Sequence, residues 1–137
     1  MSLAPFKMAV KIPGETVLPE SGLRIVTSLS PGLVKEKSVR PAILPAKASI
    51  RHSVVGRRKV YVRSWRKGDR MKPLGLNGSK KLQDIFVDEK VPVEQRGGAP
   101  LFECGGEIIW LPGYRVAQGW EVKDPSATAL HISVERI

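Results

Sequence analysis

Apolar and polar positions along the 137-residue chain alternate in short runs and seldom recur at helical spacing for long. Residues 16–18 and 23–29 are two apolar runs separated by Pro19-Glu20-Ser21-Gly22, turn chemistry that predicts a β-hairpin. Between 31 and 55 the chain is punctuated by Pro31, Gly32, Pro41 and Pro45, which exclude a long helix and leave any strand there at an edge or irregular. From 59 to 65 the alternation is clean: Val60 and Val62 fall on one face, Lys59, Tyr61, Arg63 and Trp65 on the other, as in a half-buried strand.

Helical spacing emerges once. Leu82, Ile85, Phe86 and Glu89 share one face of a helix predicted over residues 80–90, with Ser79 placed as its N-cap and Pro92 as its stop. Residues 93–96 add one more turn before Gly97-Gly98-Ala99-Pro100 breaks the chain. Strands are then expected at 101–104 and 107–111, around a tight Gly105-Gly106 turn, and at 120–122 and 130–135. The class that follows is α+β: a β-sandwich-like core of short, mostly antiparallel strands with a few short helices. Residues 1–8 are set aside as a leader or added segment, and 9–137 form one domain, divided if anywhere into two β-rich halves with a seam near 52–58.

Composition sharpens this picture through charge. The net +10 is concentrated: residues 57–81 hold 10 basic and 1 acidic side chains, against 8 and 3 before them and 5 and 9 after them. A basic patch of this kind favours an anionic partner such as nucleic acid. A single cysteine, Cys104, permits no internal disulfide and no cysteine-based zinc site, and points to a reducing, cytoplasmic setting. No apolar run approaches the roughly 20 residues needed to span a bilayer, so no membrane partner is expected.

Within the basic segment, Gly78-Ser79-Lys80-Lys81 at a helix start is suited to phosphate, because free N–H groups and two ammonium groups converge there. Arg63, Arg66, Lys67, Arg70 and Lys72 lie close by in sequence and favour phosphate contact over a merely solvated face. Asp69, the lone acid, is expected to accept turn N–H bonds or to orient an arginine. Tyr61 and Trp65 can stack on bases or pack across strands. Trp110 and Trp120 read as packing residues, His52 and His131 as structural or surface histidines without a carboxylate pair at ligand spacing, and Cys104 as a semi-buried thiol.

The run Val62-Arg63-Ser64-Trp65-Arg66-Lys67-Gly68-Asp69-Arg70-Met71-Lys72-Pro73-Leu74-Gly75, continued by Gly78-Ser79-Lys80-Lys81-Leu82, resembles the signature of the C-terminal domain of bacterial tRNA(Ile)-lysidine synthetases. The resemblance continues through Asp88-Glu89-Lys90-Val91-Pro92 and Gly106-Glu107-Ile108-Ile109-Trp110-Leu111-Pro112-Gly113, and more weakly at Ile12-Pro13-Gly14-Glu15. It implies a domain that recognises tRNA(Ile) at its acceptor stem, in an enzyme that uses ATP, with Mg2+, to attach lysine to the wobble cytidine. It also implies that catalysis sits in an N-terminal domain: neither Gly97-Gly98 nor Gly105-Gly106 carries the Ser-Gly-Gly-x-Asp-Ser pattern of that domain's ATP loop.

These expectations assign no catalytic residue, metal or cofactor to the chain and give it an RNA-binding set of Arg63, Arg66, Lys67, Arg70, Lys72, Ser79, Lys80 and Lys81. The partners implied are tRNA(Ile) and the catalytic domain of the same polypeptide. Two other classes stay open at this point: a protein interaction module that docks the catalytic domain or a second copy through apolar edges, and an enzyme, for which no paired carboxylate, triad or metal cluster speaks.

Overall fold

In the computed structural model, which describes residues 4–34 and 40–137, antiparallel strands make up most of the regular structure. The strands are β1 (Lys7–Ala9), β2 (Gly14–Leu18), β3 (Leu23–Pro31), β4 (Ala46–Arg51), β5 (Val60–Ser64), β6 (Arg70–Met71), β7 (Lys80–Lys81), β8 (Pro100–Cys104), β9 (Glu107–Trp110) and β10 (Thr128–Arg136). Three short helices, α1 (His52–Val55), α2 (Leu82–Asp88) and α3 (Val93–Arg96), interrupt them. The order β1-β5-β8-β9 makes a first four-stranded sheet, β2-β3-β10-β4 a second, and β6-β7 a separate two-stranded ribbon. The α+β reading holds, and none of the described helices is long and apolar enough to cross a membrane.

Period-two alternation builds the second sheet. Its inner face carries Ile25, Val134 and Ala46 in one cross-strand row and Thr27, Ile132 and Ala48 in the next. All six are buried, so the register is specified by the apolar face. The expected hairpin is present as β2 and β3, joined by a single 3-10 turn, Pro19–Ser21, that closes on Gly22 at φ 66°. β4 takes the sheet's far edge, where the prolines allow a strand.

β5 is more enclosed than its alternation suggests, because β1 and β8 flank it on both sides. β1 includes residues set aside as a leader: Lys7, Met8 and Ala9 pair with Arg63, Val62 and Tyr61. β8 and β9 form the predicted glycine hairpin, with Gly105 at φ 61° and Gly106 at φ 79°, the two positive φ angles of a type I′ turn. Phe102 stacks on Trp110 at 5.1 Å between ring centroids, and Trp110 is fully buried, as the packing role assigned to it requires. Buried apolar residues of both sheets and of α2 join in one cluster.

The strand expected at 120–122 is absent. Only an isolated bridge, Ile50 to Glu121, forms there. Local polar bonds hold this backbone instead: the Arg51 guanidinium donates to the carbonyls of Gly119 (2.6 Å) and Glu121 (3.2 Å), and Glu121 accepts the Gly119 N–H at 3.0 Å.

Gly113 and Gly105 separate two kinds of glycine requirement. A Cβ at Gly113 (φ 81°) would overlap the backbone carbonyl of Arg40, whereas one at Gly105 would meet the end of the flexible Arg58 side chain. Gly113→Ala is therefore expected to lower unfolding free energy by about 3 kcal/mol or more, and Gly105→Ala by the left-handed backbone penalty of about 1–2 kcal/mol. Urea unfolding of the two variants side by side checks the order.

Candidate nucleic-acid interface

The basic segment folds as a ribbon set off from the two sheets. After β5 the chain turns through Gly68 (φ 95°), with the Asp69 N–H donating to the Arg66 carbonyl at 3.0 Å. β6 then pairs with β7 so that Arg70 stands opposite Lys81 and Met71 opposite Lys80. Opposed residues in an antiparallel pair share a face. One face therefore presents Arg70 and Lys81, and two-residue alternation adds Lys72 and Ser79 to it. Arg70 Nε donates to Ser79 Oγ at 3.1 Å across that face. The other face buries Met71, while Lys80 forms an ion pair with Asp88 that raises its pKa.

The ribbon is anchored along β6. Lys72 accepts the Gln118 N–H at 2.7 Å, Leu74 donates to the Val116 carbonyl at 3.0 Å, and Pro73 bridges Ala117. Leu74 and Leu76 are exposed at the tip. Arg115 reaches the same place: its guanidinium lies 5.0 Å from the Tyr114 ring and donates to the Leu74 carbonyl at 3.3 Å. Nothing local marks Arg115 in the sequence; it joins the basic surface only because residues 114–118 fold against β6.

Three members of the expected set change role. Arg63 is no surface ligand: only 5% exposed, it forks onto both Asp69 oxygens at 3.0 Å each and gives Nε to Glu103 at 2.9 Å. Its burial in a flanked strand demands these carboxylates. Glu103 also takes Lys7 at 2.8 Å. Burial pushes the carboxyls of Asp69 and Glu103 up, but the hydrogen bonds and charges of Arg63, joined by the Arg66 N–H at Asp69 and by Lys7 at Glu103, outweigh it and hold both pKa values below the ordinary range. Asp69 fills both roles foreseen for it, since it also accepts the Arg66 N–H at 2.6 Å.

The helix start differs as well. Lys80 and Lys81 are strand, and α2 begins at Leu82 with Lys81 as an extended N-cap residue and no side-chain cap, so Ser79 is not the cap. The Leu82 N–H is given to the Asp69 carbonyl at 3.0 Å. One of the N–H groups expected to face a phosphate at the helix end is thus used inside the protein. The cations of the set that remain exposed are Arg66, Lys67, Arg70, Lys72 and Lys81. Among the described residues none of these five has an ion-pair partner. Arg70 directly opposite Lys81 is a like-charge pair that destabilises an unliganded ribbon and that an anion would relieve.

Arg70, Lys72 and Ser79 line a cleft of about 200 Å³ together with Met71, Gly106, Glu107 and Ile108. Two larger clefts, of about 550 and 510 Å³, have one lysine or arginine each in their linings, Lys47 and Arg115. Trp65 packs edge-on against Phe86 at 5.2 Å, and Lys7 lies over Tyr61 at 4.6 Å, so both rings have contacts within the protein. Cys104 is buried, which pushes its thiol pKa up. His131 bridges Ser49 Oγ (2.9 Å) and the Ser30 carbonyl (3.0 Å). Among the described residues no group of His, Cys, Asp or Glu could hold a metal ion.

Asp69→Asn leaves the Arg63 guanidinium buried with one carboxylate and is expected to destabilise the fold by about 3 kcal/mol. Because the folded-state pKa values of Asp69 and Glu103 are lowered, their contribution is complete above the ordinary carboxylate range, about 4, and disappears as pH falls through the folded values. Chemical unfolding between about pH 7 and pH 3 should show a steeper acid loss for the native chain than for Asp69→Asn.

Comparison with known proteins bears on this arrangement. Residues 60–134, more than half of the chain, match the family model of the TilS substrate C-terminal domain. A tRNA(Ile)-lysidine synthase of Symbiobacterium thermophilum is 35% identical over 131 residues, covering 93% of this chain and 25% of that protein. One of Caldanaerobacter subterraneus is 42% identical over 74 residues, covering 54% of this chain and 16% of that protein. The chain thus spans a quarter or less of the length of these relatives. A crystal structure of a TilS C-terminal domain superposes with a TM-score of 0.78 at 23% identity, covering 98% of each chain, and shares the fold. The chain belongs to the TilS substrate C-terminal domain family.

Proposed function

We propose that this domain recognises tRNA(Ile) for a tRNA(Ile)-lysidine synthase, laying the β6–β7 ribbon along the sugar-phosphate backbone of the acceptor stem. The observation that carries the reading is the set of five exposed cations without ion-pair partners among the described residues, with Arg70 and Lys81 directly opposed. An A-form stem offers phosphates and 2′-hydroxyls more readily than base edges, so a flat cationic ribbon suits it. The relatives' name supports tRNA(Ile) as the target. In this proposal the ATP- and Mg2+-dependent attachment of lysine belongs to a catalytic N-terminal domain of the same polypeptide, in the cytoplasm. The chain itself contributes affinity and register, with no catalytic group.

Changing Arg66, Arg70, Lys72 and Lys81 together to Ala tests this. Each neutralised phosphate contributes about 0.7–0.9 to the slope of log affinity against log salt, so losing four contacts should flatten the slope by about 3. Affinity for tRNA(Ile) should fall about hundredfold or more at low salt. All four side chains are exposed and the Arg70–Lys81 repulsion is removed, so the unfolding midpoint should not fall. Equal binding by a folded variant and the native chain would overturn the proposal.

A further inference from the structure

The cleft beside the ribbon contains a group that phosphate binding does not call for. Glu107, at the start of β9, lines it with Arg70, Lys72 and Ser79. Glu107 forms no ion pair with Arg70 or Lys72. Its Oε2 is held at 2.8 Å by the indole N–H of Trp120, which is only 4% exposed and has Arg58 stacked over its ring. Oε1 has no hydrogen-bond partner among the described residues. The type I′ turn at Gly105-Gly106 fixes where β9 begins, and with it the position of the carboxylate.

The cleft is thus lined by donors and by one carboxylate-bearing residue. Arg70, Lys72 and the Ser79 hydroxyl offer N–H and O–H groups, and Glu107 brings an acceptor oxygen, Oε1, that has no hydrogen-bond partner among the described residues. A ligand that fits both sides carries a phosphate and, a few ångströms away, a hydroxyl. Along nucleic acid that pairing is the phosphodiester with its neighbouring ribose 2′-OH, the group by which a protein distinguishes RNA from DNA. We propose that Glu107 accepts a hydrogen bond from a ribose 2′-hydroxyl and is the residue by which this surface selects RNA. The proposal rests on the ribbon's binding a nucleic-acid backbone. Glu107 adds selectivity, since its charge alone lowers affinity for phosphate.

The test uses the 137-residue chain and two short duplexes of one sequence, an all-RNA duplex and its 2′-fluoro counterpart, which keeps A-form geometry but cannot donate from the 2′ position. Hydrogen bonds to charged groups set the scale, and the native chain should bind RNA about tenfold more tightly than the 2′-fluoro duplex. In Glu107→Gln the amide oxygen can still accept the Trp120 N–H, leaving an NH2 toward the cleft, and the preference should fall to about one. A native preference near one, or a preference kept by Glu107→Gln, overturns the assignment. Because the native comparison alters only the ligand, a native preference near one overturns the assignment whatever the stability of the variant. If the native chain binds neither duplex in a salt-dependent way, the ribbon reading itself fails; salt-dependent binding of both duplexes with equal affinity sinks the Glu107 assignment alone.

Discussion

A guanidinium enclosed by neighbouring strands is tolerable only where carboxylates answer it, and the placement of Arg63 between Asp69 and Glu103 organises the basic region around that requirement. Asp69 meets it from the loop that leaves β5, so the loop must return to the strand that launched it. The same residue binds the Arg66 N–H with its carboxylate and the Leu82 N–H with its carbonyl. One acidic residue in a strongly cationic segment thus ties the loop and the start of α2 to the first sheet, the former through its carboxylate and the latter through its backbone carbonyl. Glu103 extends the network to Lys7, which ties β1 into the same arrangement.

This division of labour explains how so many cations stay available. Arg63 satisfies the acids in its vicinity, and Lys80 takes Asp88. The remaining ribbon cations face solvent without an ion-pair partner among the described residues. An interface for phosphates needs charge that is held in place yet not consumed by intramolecular pairing, and the buried network provides the first condition and, by occupying Asp69 and Glu103, helps to provide the second.

Much of the fold was legible in the chain. The alternation at 59–65, the turn Pro19-Glu20-Ser21-Gly22 and the glycine pair at 105–106 encode local geometry and emerge as β5, the β2–β3 connection and the β8–β9 turn. The misreadings share a cause. Alternation places Arg63 opposite Val60 and Val62 but does not reveal that β1 arrives from residues set aside, or that Glu103 waits 40 residues away. Ser79 has the chemistry of a cap, yet pairing of Lys80 and Lys81 with β6 delays the helix. Arg115 and Glu107 reach the ribbon through tertiary contacts that no spacing encodes, whereas Arg66, Arg70, Lys72 and Lys81 stand out in sequence because they cluster in the segment that becomes the ribbon.

The opposed Arg70 and Lys81 carry one more consequence. Two cations on one face of a two-stranded ribbon repel when nothing lies between them, and small ions screen that repulsion over about 10 Å at 0.1 M ionic strength. Added salt therefore acts in opposite senses on the two states: it steadies the empty ribbon while it competes with any polyanion seated there. The ribbon is locally least settled when dilute and unoccupied, and a bound phosphate, by lying between the charges, would serve as the missing piece of its own architecture.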